Sequence, residues 1–598
     1  MFFLLLIQRL QLSCAIAIIG ICSSLAVAQS FEPLSGLEYP FVGNGPGGYQ
    51  GASFVDYDGD GDLDVFIGVV GLFRNDGGVF VKLTNSGIGG SVGHSWADYD
   101  NDGDLDLFTV GAFGFLYHNN GDDTFSKKYA GALIDSVLHR AWSCAWADIN
   151  NDGFVDIATN HPAGFIPPTN NPTINHLLLN DGAPAFSFTE LDSNLISNGF
   201  QPYTVGSWSD YDQDGDIDYF IGSGPANGTV APDFLYKNLF VESGMIDFER
   251  ITTSPIATDN QDGQLWNWID FDNDGDLDAY LTNWAGATNR FYRNDGGTFT
   301  RFSGIPMVTD PGASLASIWG DFDNDGDLDC YVGNDNSVAD RYYRNNGDGT
   351  FTDIDTLAFQ GSSTRRSGAA GDFDNDGDLD LLLSGPTANM QLFRNNVGNS
   401  NGWISVKCVG TRSNRAAIGT KVRAKATING NAVWQLREIS SQNSFNSQND
   451  LRVHFGFGDA AQIDSLRIEW PSGIVQEVGM LSVKQFMEIT EDSTLTGLPG
   501  ENGGVAQRFV LEQNYPNPFN PETAIRYQLT VNSDVQLAIY DLLGQQVKTL
   551  VSESQPAGSY EIQWNGTGQS GKNVASGVYL YRLETAGFSA TRKLVLMR

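Results

Sequence analysis

Aspartate stands at every second position of Asp56-Tyr57-Asp58-Gly59-Asp60-Gly61-Asp62-Leu63-Asp64, and the chain writes this pattern seven times, beginning at Asp56, Asp98, Asp148, Asp210, Asp270, Asp321 and Asp372. Carboxylates so closely spaced repel one another in a compact loop unless a cation sits among them. A hard divalent ion answers that need, since Ca²⁺ takes roughly six to eight oxygen ligands. In D-x-[DN]-x-D-G-x-x-D, side chains at positions 1, 3 and 5 converge on one point. Gly at position 6 permits the sharp turn, position 7 offers its backbone carbonyl, and Asp at position 9 closes the shell.

The third copy, Asp148-Ile149-Asn150-Asn151-Asp152-Gly153-Phe154-Val155-Asp156, keeps side-chain oxygens at positions 1, 3, 5 and 9 and loses one only at position 7. A ligand loop predicts that pattern; a merely acidic stretch does not. An EF-hand loop requires a bidentate Glu at position 12. That position here holds Ile67, Thr109, Thr159, Ile221, Leu281, Val332 and Leu383. The loops also run into β-type segments such as Asp64-Val65-Phe66-Ile67-Gly68 and not into helices.

These loops explain the charge. The chain of 598 residues carries 34 basic and 72 acidic residues, a formal −38, and 33 of the acids lie in the seven motifs, leaving 39 to face 34 bases. The acidity reports cation sites, and it argues against nucleic acid as a partner because phosphates are repelled. With low charge outside the loops and 41% hydrophobic and 12% aromatic residues in the whole chain, packed domains are expected.

Positioning seven loops requires a repeat. From residue 32 to 400 the motif recurs about every 53 residues, a period near that of propeller blades. An aromatic precedes the first Asp by two residues (Phe54, Trp96, Trp146, Trp208, Trp268, Trp319), with Ala370 the exception in copy seven. The rings are expected in the core between blades, with a stacking platform for sugars as the alternative. After each loop come a short apolar strand, a second strand and a turn, as in Phe73-Arg74-Asn75-Asp76-Gly77-Gly78. Such turns supply the positive φ that hairpins demand. The reading is all-β: a seven-bladed β-propeller, then a β-rich accessory domain and a C-terminal Ig-like β-sandwich. Closing the ring removes free sheet edges.

The loops resemble the FG-GAP/VCBS repeats of integrin-α-type propellers. The resemblance implies a Ca²⁺-binding loop between two strands of each blade and about seven structural Ca²⁺ ions. By matching positions it implies as side-chain ligands Asp56, Asp58, Asp60 and Asp64; Asp98, Asp100, Asp102 and Asp106; Asp148, Asn150, Asp152 and Asp156; Asp210, Asp212, Asp214 and Asp218; Asp270, Asp272, Asp274 and Asp278; Asp321, Asp323, Asp325 and Asp329; and Asp372, Asp374, Asp376 and Asp380. The third site, with one charge fewer, is expected to bind more weakly.

In residues 401–492 alternating strands replace the aspartate loops: Trp403 to Val409, Lys421 to Ala424, Leu466 to Trp470. The runs from Ser413 to Val422, His454-Phe455-Gly456-Phe457-Gly458 and Glu469-Trp470-Pro471-Ser472-Gly473 resemble the ASPIC/UnbV domain, which follows such propellers in bacterial proteins and in the cartilage acidic protein family. Phe457 stands where that family usually has Leu. Arg415, Arg437 and His454 are expected to make salt links, with an anionic ligand as the alternative.

Residues 493–508 are a Gly-rich linker. Residues 509–598 carry Tyr515-Pro516-Asn517-Pro518-Phe519, Ile539-Tyr540-Asp541-Leu542-Leu543-Gly544, Ser576-Gly577-Val578-Tyr579 and Lys593-Leu594-Val595-Leu596. Strands are expected at 524–529, 535–540, 559–564, 578–583 and 592–596, with hairpins at Leu543-Gly544 and Asn565-Gly566. This stretch resembles the Ig-like C-terminal domain that addresses cargo to the type IX secretion system. Residues 1–28, closing on Ala26-Val27-Ala28, form a Sec signal peptide. Together they imply export across both membranes to the bacterial outer surface or medium, contact with the type IX machinery, and no transmembrane segment in the mature chain. Cys144, Cys330 and Cys408 show no metal or disulfide spacing and are expected as buried small hydrophobes.

No G-x-S-x-G, H-E-x-x-H, P-loop or dinucleotide fingerprint is present. The leading expectation is a non-enzymatic secreted or cell-surface binding or adhesion module for glycan or protein ligands, with its ligand site among the irregular stretches 161–173, 224–233 and 259–264. A polysaccharide lyase or hydrolase and a passive scaffold are the alternatives.

Overall fold

Short strands broken by Gly, Asn and Asp cannot reach across a large sheet, so each repeat folds on itself. The computed structural model describes residues 31–492 except 129–140, 163–173, 192–193, 200, 202, 225–229, 285–286, 311, 355–358, 360–363, 387–388 and 398–399. It also describes 510–596 except 512–513, 515–518, 520–522, 530–532, 541–544, 556–557 and 586–588. The signal peptide and linker lie outside the described residues. The chain divides into two compact units, Met1–Pro499 and Gly500–Arg598.

Among the described residues of the first unit, seven four-stranded antiparallel sheets follow in order. Blades 1 to 6 occupy residues 52–82, 93–128, 143–190, 203–251, 263–302 and 314–353. Blade 7 combines Ser367–Gly371, Asp380–Ser384 and Gln391–Asn395 with the distant strand Phe31–Pro33. Phe31 pairs with Asn395 and Pro33 with Phe393, so the two ends of the repeat array share one sheet. Phe31 is buried against Phe322, Tyr342 and Phe359 with ring centroids 5.3–5.7 Å apart. The aromatics before each loop form the core between blades. Trp96 meets Phe66 and Phe125, and Trp319 meets Tyr280, Phe291 and Phe351. Phe54, Trp96 and Trp146 are at most 1% exposed.

Each blade is latched to the one before it by an asparagine at the end of its third strand. Asn75, Asn119, Asn180, Asn238, Asn294, Asn345 and Asn395 donate through Nδ2 to the carbonyls of Phe373, Tyr57, Tyr99, Ile149, Tyr211, Phe271 and Phe322, at 2.6–3.0 Å. The Asn75 bond to Phe373 joins blade 1 to blade 7 and completes the circle.

Residues 401–492 cover the end of the ring that carries the aspartate loops. Trp403–Val409 lies between Val453–Gly456 and, in parallel, Gln485–Thr490. A second sheet orders Asn431–Glu438, Lys421–Ile428, Gln462–Glu469 and Val475–Val478. Between Glu438 and Val453 the chain leaves this cap and threads the propeller axis, touching the inner strand of every blade. Ser441 Oγ accepts from Trp146 N–H and donates to the Trp146 carbonyl, at 2.9 and 2.7 Å. Gln448 does the same to Trp96 with its carboxamide, at 2.7 and 3.1 Å. Ser447 Oγ accepts from Ala52 N–H and Asn449 Oδ1 from Ala370 N–H. Asn267 Nδ2 donates to the Asn443 carbonyl. At the tip Phe445 packs on Val205, Leu265 and Leu315. Innermost strands have backbone groups with no further strand to pair with. The run Ser440-Ser441-Gln442-Asn443-Ser444-Phe445-Asn446-Ser447-Gln448-Asn449 supplies short side chains that both donate and accept.

The second unit pairs Val510–Leu511, Thr523–Leu529 and Gly558–Trp564 in one sheet, and Gln546–Gln555, Ser533–Tyr540, Gly577–Glu584 and Ser589–Leu596 in the other. Ile525, Leu537, Trp564 and Tyr581 fill the space between them. The expected strands are present, and Val510–Leu511 and Gln546–Gln555 are additions. Asn565-Gly566 is not a hairpin, because Gly558–Trp564 and Gly577–Glu584 belong to different sheets. Leu543-Gly544 lies outside the described residues.

Ring closure rests on a three-residue strand, so Phe31→Ala is expected to destabilise the propeller by roughly 3–5 kcal/mol, the usual range for emptying a buried aromatic site. A thermal melt compared with an exposed control, Glu32→Ala, checks this; equal melting temperatures would mean that the closing strand contributes little.

Candidate metal centres under a capped face

Every loop turns where the sequence places its glycine. Position 6 has φ between 91° and 107° in all seven copies (Gly61, Gly103, Gly153, Gly215, Gly275, Gly326, Gly377), a region that penalises any Cβ. Position 4 is also left-handed, with φ between 53° and 70°. In six blades it is Asn or Gln, residues that tolerate this conformation or reach across it. Position 1 directly follows the inner strand and position 9 opens the second, so the two carboxylates lie at the same end of the hairpin.

Position 9 is the deepest. Asp64, Asp106, Asp156, Asp218, Asp278, Asp329 and Asp380 are at most 2% exposed. One oxygen of each accepts the backbone N–H of the latch asparagine at 2.7–2.8 Å. In blades 1, 2, 3, 5 and 7 the other accepts the N–H of motif position 2. Position 1 accepts N–H groups from position 6 or 5, as Asp98, Asp148, Asp321 and Asp372 each do from both. Position 5 is more exposed and is tied to the N–H of position 7.

Oxygens at positions 1, 3 and 9 converge to within 4.8 Å in Asp56, Asp58 and Asp64, in Asp98, Asp100 and Asp106, and in Asp210, Asp212 and Asp218. These clusters could hold a metal ion. Buried oxygens with no protein hydrogen-bond partner remain on Asp100, Asp210, Asp212, Asp218, Asp270, Asp323 and Asp374, a hard donor set of the kind that binds hard cations. In blade 3 the Asn150 carboxamide turns to Asp152, donating through Nδ2 at 2.9 Å.

The repeated acid at position 7 has a different use. Asp62, Asp276, Asp327 and Asp378 accept from Asn375, Gln213, Asn273 and Asn324, the position 4 side chains of the preceding blades, at 2.8–3.0 Å. Where Phe154 replaces the acid, Asn101 bonds the Gly153 carbonyl at 2.9 Å. Position 7 side chains thus fasten loop to loop, a role the spacing did not reveal because the partner lies one repeat away.

Burial governs the electrostatics. It pushes Asp64 and Asp278 up to about 9, Asp98 to about 8, and Asp148, Asp270 and Asp372 to about 7. Nearby carboxylates raise them further. Two sets of bases offset this. Within the blades, Lys237 Nζ lies 2.6 Å from both Asp212 and Asp214, and Arg394 Nε 2.7 Å from Asp374. From the cap, Lys421 pairs with Asp210, Lys407 Nζ lies 3.5 Å from Asp56, and Arg415 Nε 3.8 Å from Asp98. Arg437 is partly buried and faces Asp270, Asp321 and Asp327. Gly456 N–H donates to Asp321 at 3.0 Å, and His454 Nε2 sits 2.6 Å from Asn324 Oδ1. Arg415, Arg437 and His454 therefore meet groups of the propeller itself.

A cavity of about 130 Å³ lies along this seam, lined by Trp208, Trp268, Trp319 and Ala370 of the propeller and Arg437 and Arg452 of the cap. Ala370 leaves room where six copies place an aromatic ring. At the opposite end of the ring, two of the irregular stretches meet: Ala231 and Gln261 exchange backbone hydrogen bonds at 3.0 Å. Most of 161–173 lies outside the described residues. Cys144, Cys330 and Cys408 are buried and free.

A carboxyl raised on folding binds more protons in the native than in the unfolded chain, so stability falls as pH rises between the two values. With metal chelated, the melting temperature is expected to fall as pH rises from about 4, the unfolded carboxyl value, to about 9. A melt in chelator that is flat or rises across that window would show the carboxylates to be neutralised by protein groups alone.

Family comparisons agree with this architecture. An FG-GAP-like repeat matches residues 56–109, 270–332 and 321–383, an ASPIC and UnbV domain matches 410–496, and a FlgD Ig-like domain matches 519–587. Cartilage acidic protein 1 of Mus musculus is 29% identical over 275 residues, 43% of this chain and 41% of the relative. The Homo sapiens protein is 29% identical over 308 residues, 47% and 44% of the two chains. The chain thus spans less than half the length of these relatives. A solved structure of PorZ, described as a bacterial surface component of the type-IX secretion system of Porphyromonas gingivalis, aligns over 92% of this chain and 81% of its own at 13% identity. The TM-score is 0.21. The chain carries FG-GAP-like repeats and an ASPIC and UnbV domain, and it is homologous over part of its length to cartilage acidic protein 1.

Proposed function

We propose that this protein is a calcium-rigidified binding or adhesion module, secreted or displayed on the bacterial outer surface, that presents loops to a glycan or extracellular protein. One observation carries the reading. The cap covers the aspartate-loop face and residues 440–450 fill the axis, which leaves the opposite mouth as the place where irregular loops are free to meet a ligand. Gly224 and residues 230–233 and 259–264 lie at or beside strand ends remote from the aspartate loops, and 225–229 lie outside the described residues.

Calcium has a structural role in this reading. It neutralises the loops, fixes the approach of inner and second strands, and couples cation binding to folding. The side-chain ligands are those at positions 1, 3, 5 and 9, and residues 32–400, 401–492 and 509–598 act as propeller, cap and sorting domain. Export is by the Sec route through residues 1–28 and then by type IX secretion, with the C-terminal sandwich engaging that machinery. Among the described residues no helix is long and apolar enough to cross a membrane. None of the matched family descriptions names an enzyme.

The full chain is tested on an array of glycans and matrix proteins, in Ca²⁺ and in EDTA. Saturable binding lost in EDTA is the expected result; release of shortened sugars would make the protein an enzyme, and no binding by the folded chain would make it a scaffold. At 1 mM Ca²⁺ and a Kd of about 10⁻⁴ M, each site adds roughly 1.4 kcal/mol. Removing seven such ions is expected to lower Tm by more than about 10 °C. An unchanged melt would sink the calcium reading.

A further inference from the structure

One loop differs from the rest in its donor chemistry. The residue before the latch asparagine is, across the repeats, Arg74, His118, Leu179, Lys237, Arg293, Arg344 and Arg394, and in blades 2, 4 and 7 it reaches carboxylates of its own loop. Arginine and lysine offer charge but no lone pair. Imidazole offers a lone pair, and among the seven blades blade 2 alone places one at this position.

The geometry of His118 is that of a co-ligand. Its Nδ1 lies 3.2 Å from Asp100 Oδ2 and 3.3 Å from Asp106 Oδ1. A charge-assisted N–H···O bond closes to about 2.7–2.9 Å. Two donors bound to one tetrahedral ion at about 2.0–2.1 Å stand roughly 3.3 Å apart. Nδ1 is buried, and its polar neighbours are these two carboxylates. Asp100 is only 10% exposed, and its Oδ1 also lacks a partner. Ligand atoms of Asp100, Asp102 and His118 lie within 4.8 Å of one another. Asp106 is held in place by the Asn119 N–H at 2.8 Å, the kind of outer contact that orients a ligating carboxylate.

We propose that the blade 2 loop binds a borderline transition-metal dication of the Zn²⁺ class through His118 Nδ1 with Asp100 and Asp106. Calcium takes oxygen ligands only, whereas imidazole suits zinc and its neighbours. The proposal rests on reading the seven loops as cation sites, and it makes them unequal: one mixed nitrogen–oxygen centre among oxygen-only ones.

The full chain, equilibrated with millimolar Ca²⁺ and a small excess of Zn²⁺ and then desalted into Ca²⁺ buffer, is assayed for both metals by mass spectrometry. One Zn²⁺ per chain is expected in the wild type. In His118→Asn its affinity should drop by at least about 10–100-fold. His118→Lys, which copies blade 4, should also lose zinc while keeping the wild-type melt in Ca²⁺. Substituting Co²⁺ for Zn²⁺ should give visible absorption bands of a nitrogen-ligated tetrahedral ion that vanish in both variants. Zinc absent from a calcium-loaded wild type would overturn this proposal alone. Zinc retained equally by the variants would place it elsewhere, for example at the neighbouring His161 and His176, and would also overturn it. A chain that binds neither metal would overturn the cation reading of the loops as well.

Discussion

Negative charge gathered at one end of the ring must be answered by positive charge, and the architecture is arranged around that need. The seven motifs bring 33 aspartates to a single face. Their position 9 side chains cannot retreat to solvent, because each opens a buried strand and bonds a latch asparagine. Burial alone would leave them protonated. Three sources share the compensation: backbone N–H groups aimed into each loop, basic side chains on the third strands, and basic side chains of the cap. A divalent cation, in the reading proposed above, adds a fourth. The cap is therefore part of the electrostatics of the propeller, with Lys421 and Arg437 set against Asp210, Asp270 and Asp321.

The same loops carry the fastening of the ring. Position 4 reaches forward to the next loop, the latch asparagine reaches back to the previous blade, and both repeat around the circle. Blade 1 is the exception at position 4, where Gly59 offers no side chain. There the cap comes close: Arg415 lies against Gly103 and Asp98, and its N–H bonds Asn101. Disturbing one loop thus disturbs its neighbours and the cap together.

Axial strands in a propeller keep unpaired edges, and water or another chain segment must meet them. Here residues 440–450 do so with hydroxyl and carboxamide groups, and Phe445 seals the far end against Val205, Leu265 and Leu315. A filled axis leaves no open channel through the ring at these residues. It also explains why a polar, serine- and asparagine-rich run is almost entirely buried.

Local pattern determined much of this protein. Glycine at position 6, the alternating aspartates and the turn residues are short-range requirements, so seven blades, their order and the loop between first and second strands were legible. Cysteines as core and aromatics between blades followed from residue type. What only the tertiary structure decided involves partners far apart in sequence. Phe31–Pro33 completes blade 7 because its partner lies more than 350 residues away, and no local signal marks it. Position 7 looked like a backbone ligand, but its side chain meets the preceding blade. His118 looked scattered because its carboxylate partners belong to a loop folded over from the previous hairpin. Residues 440–449 read as a polar loop, since sequence records hydrogen-bonding capacity but not the unpaired strand edges that use it.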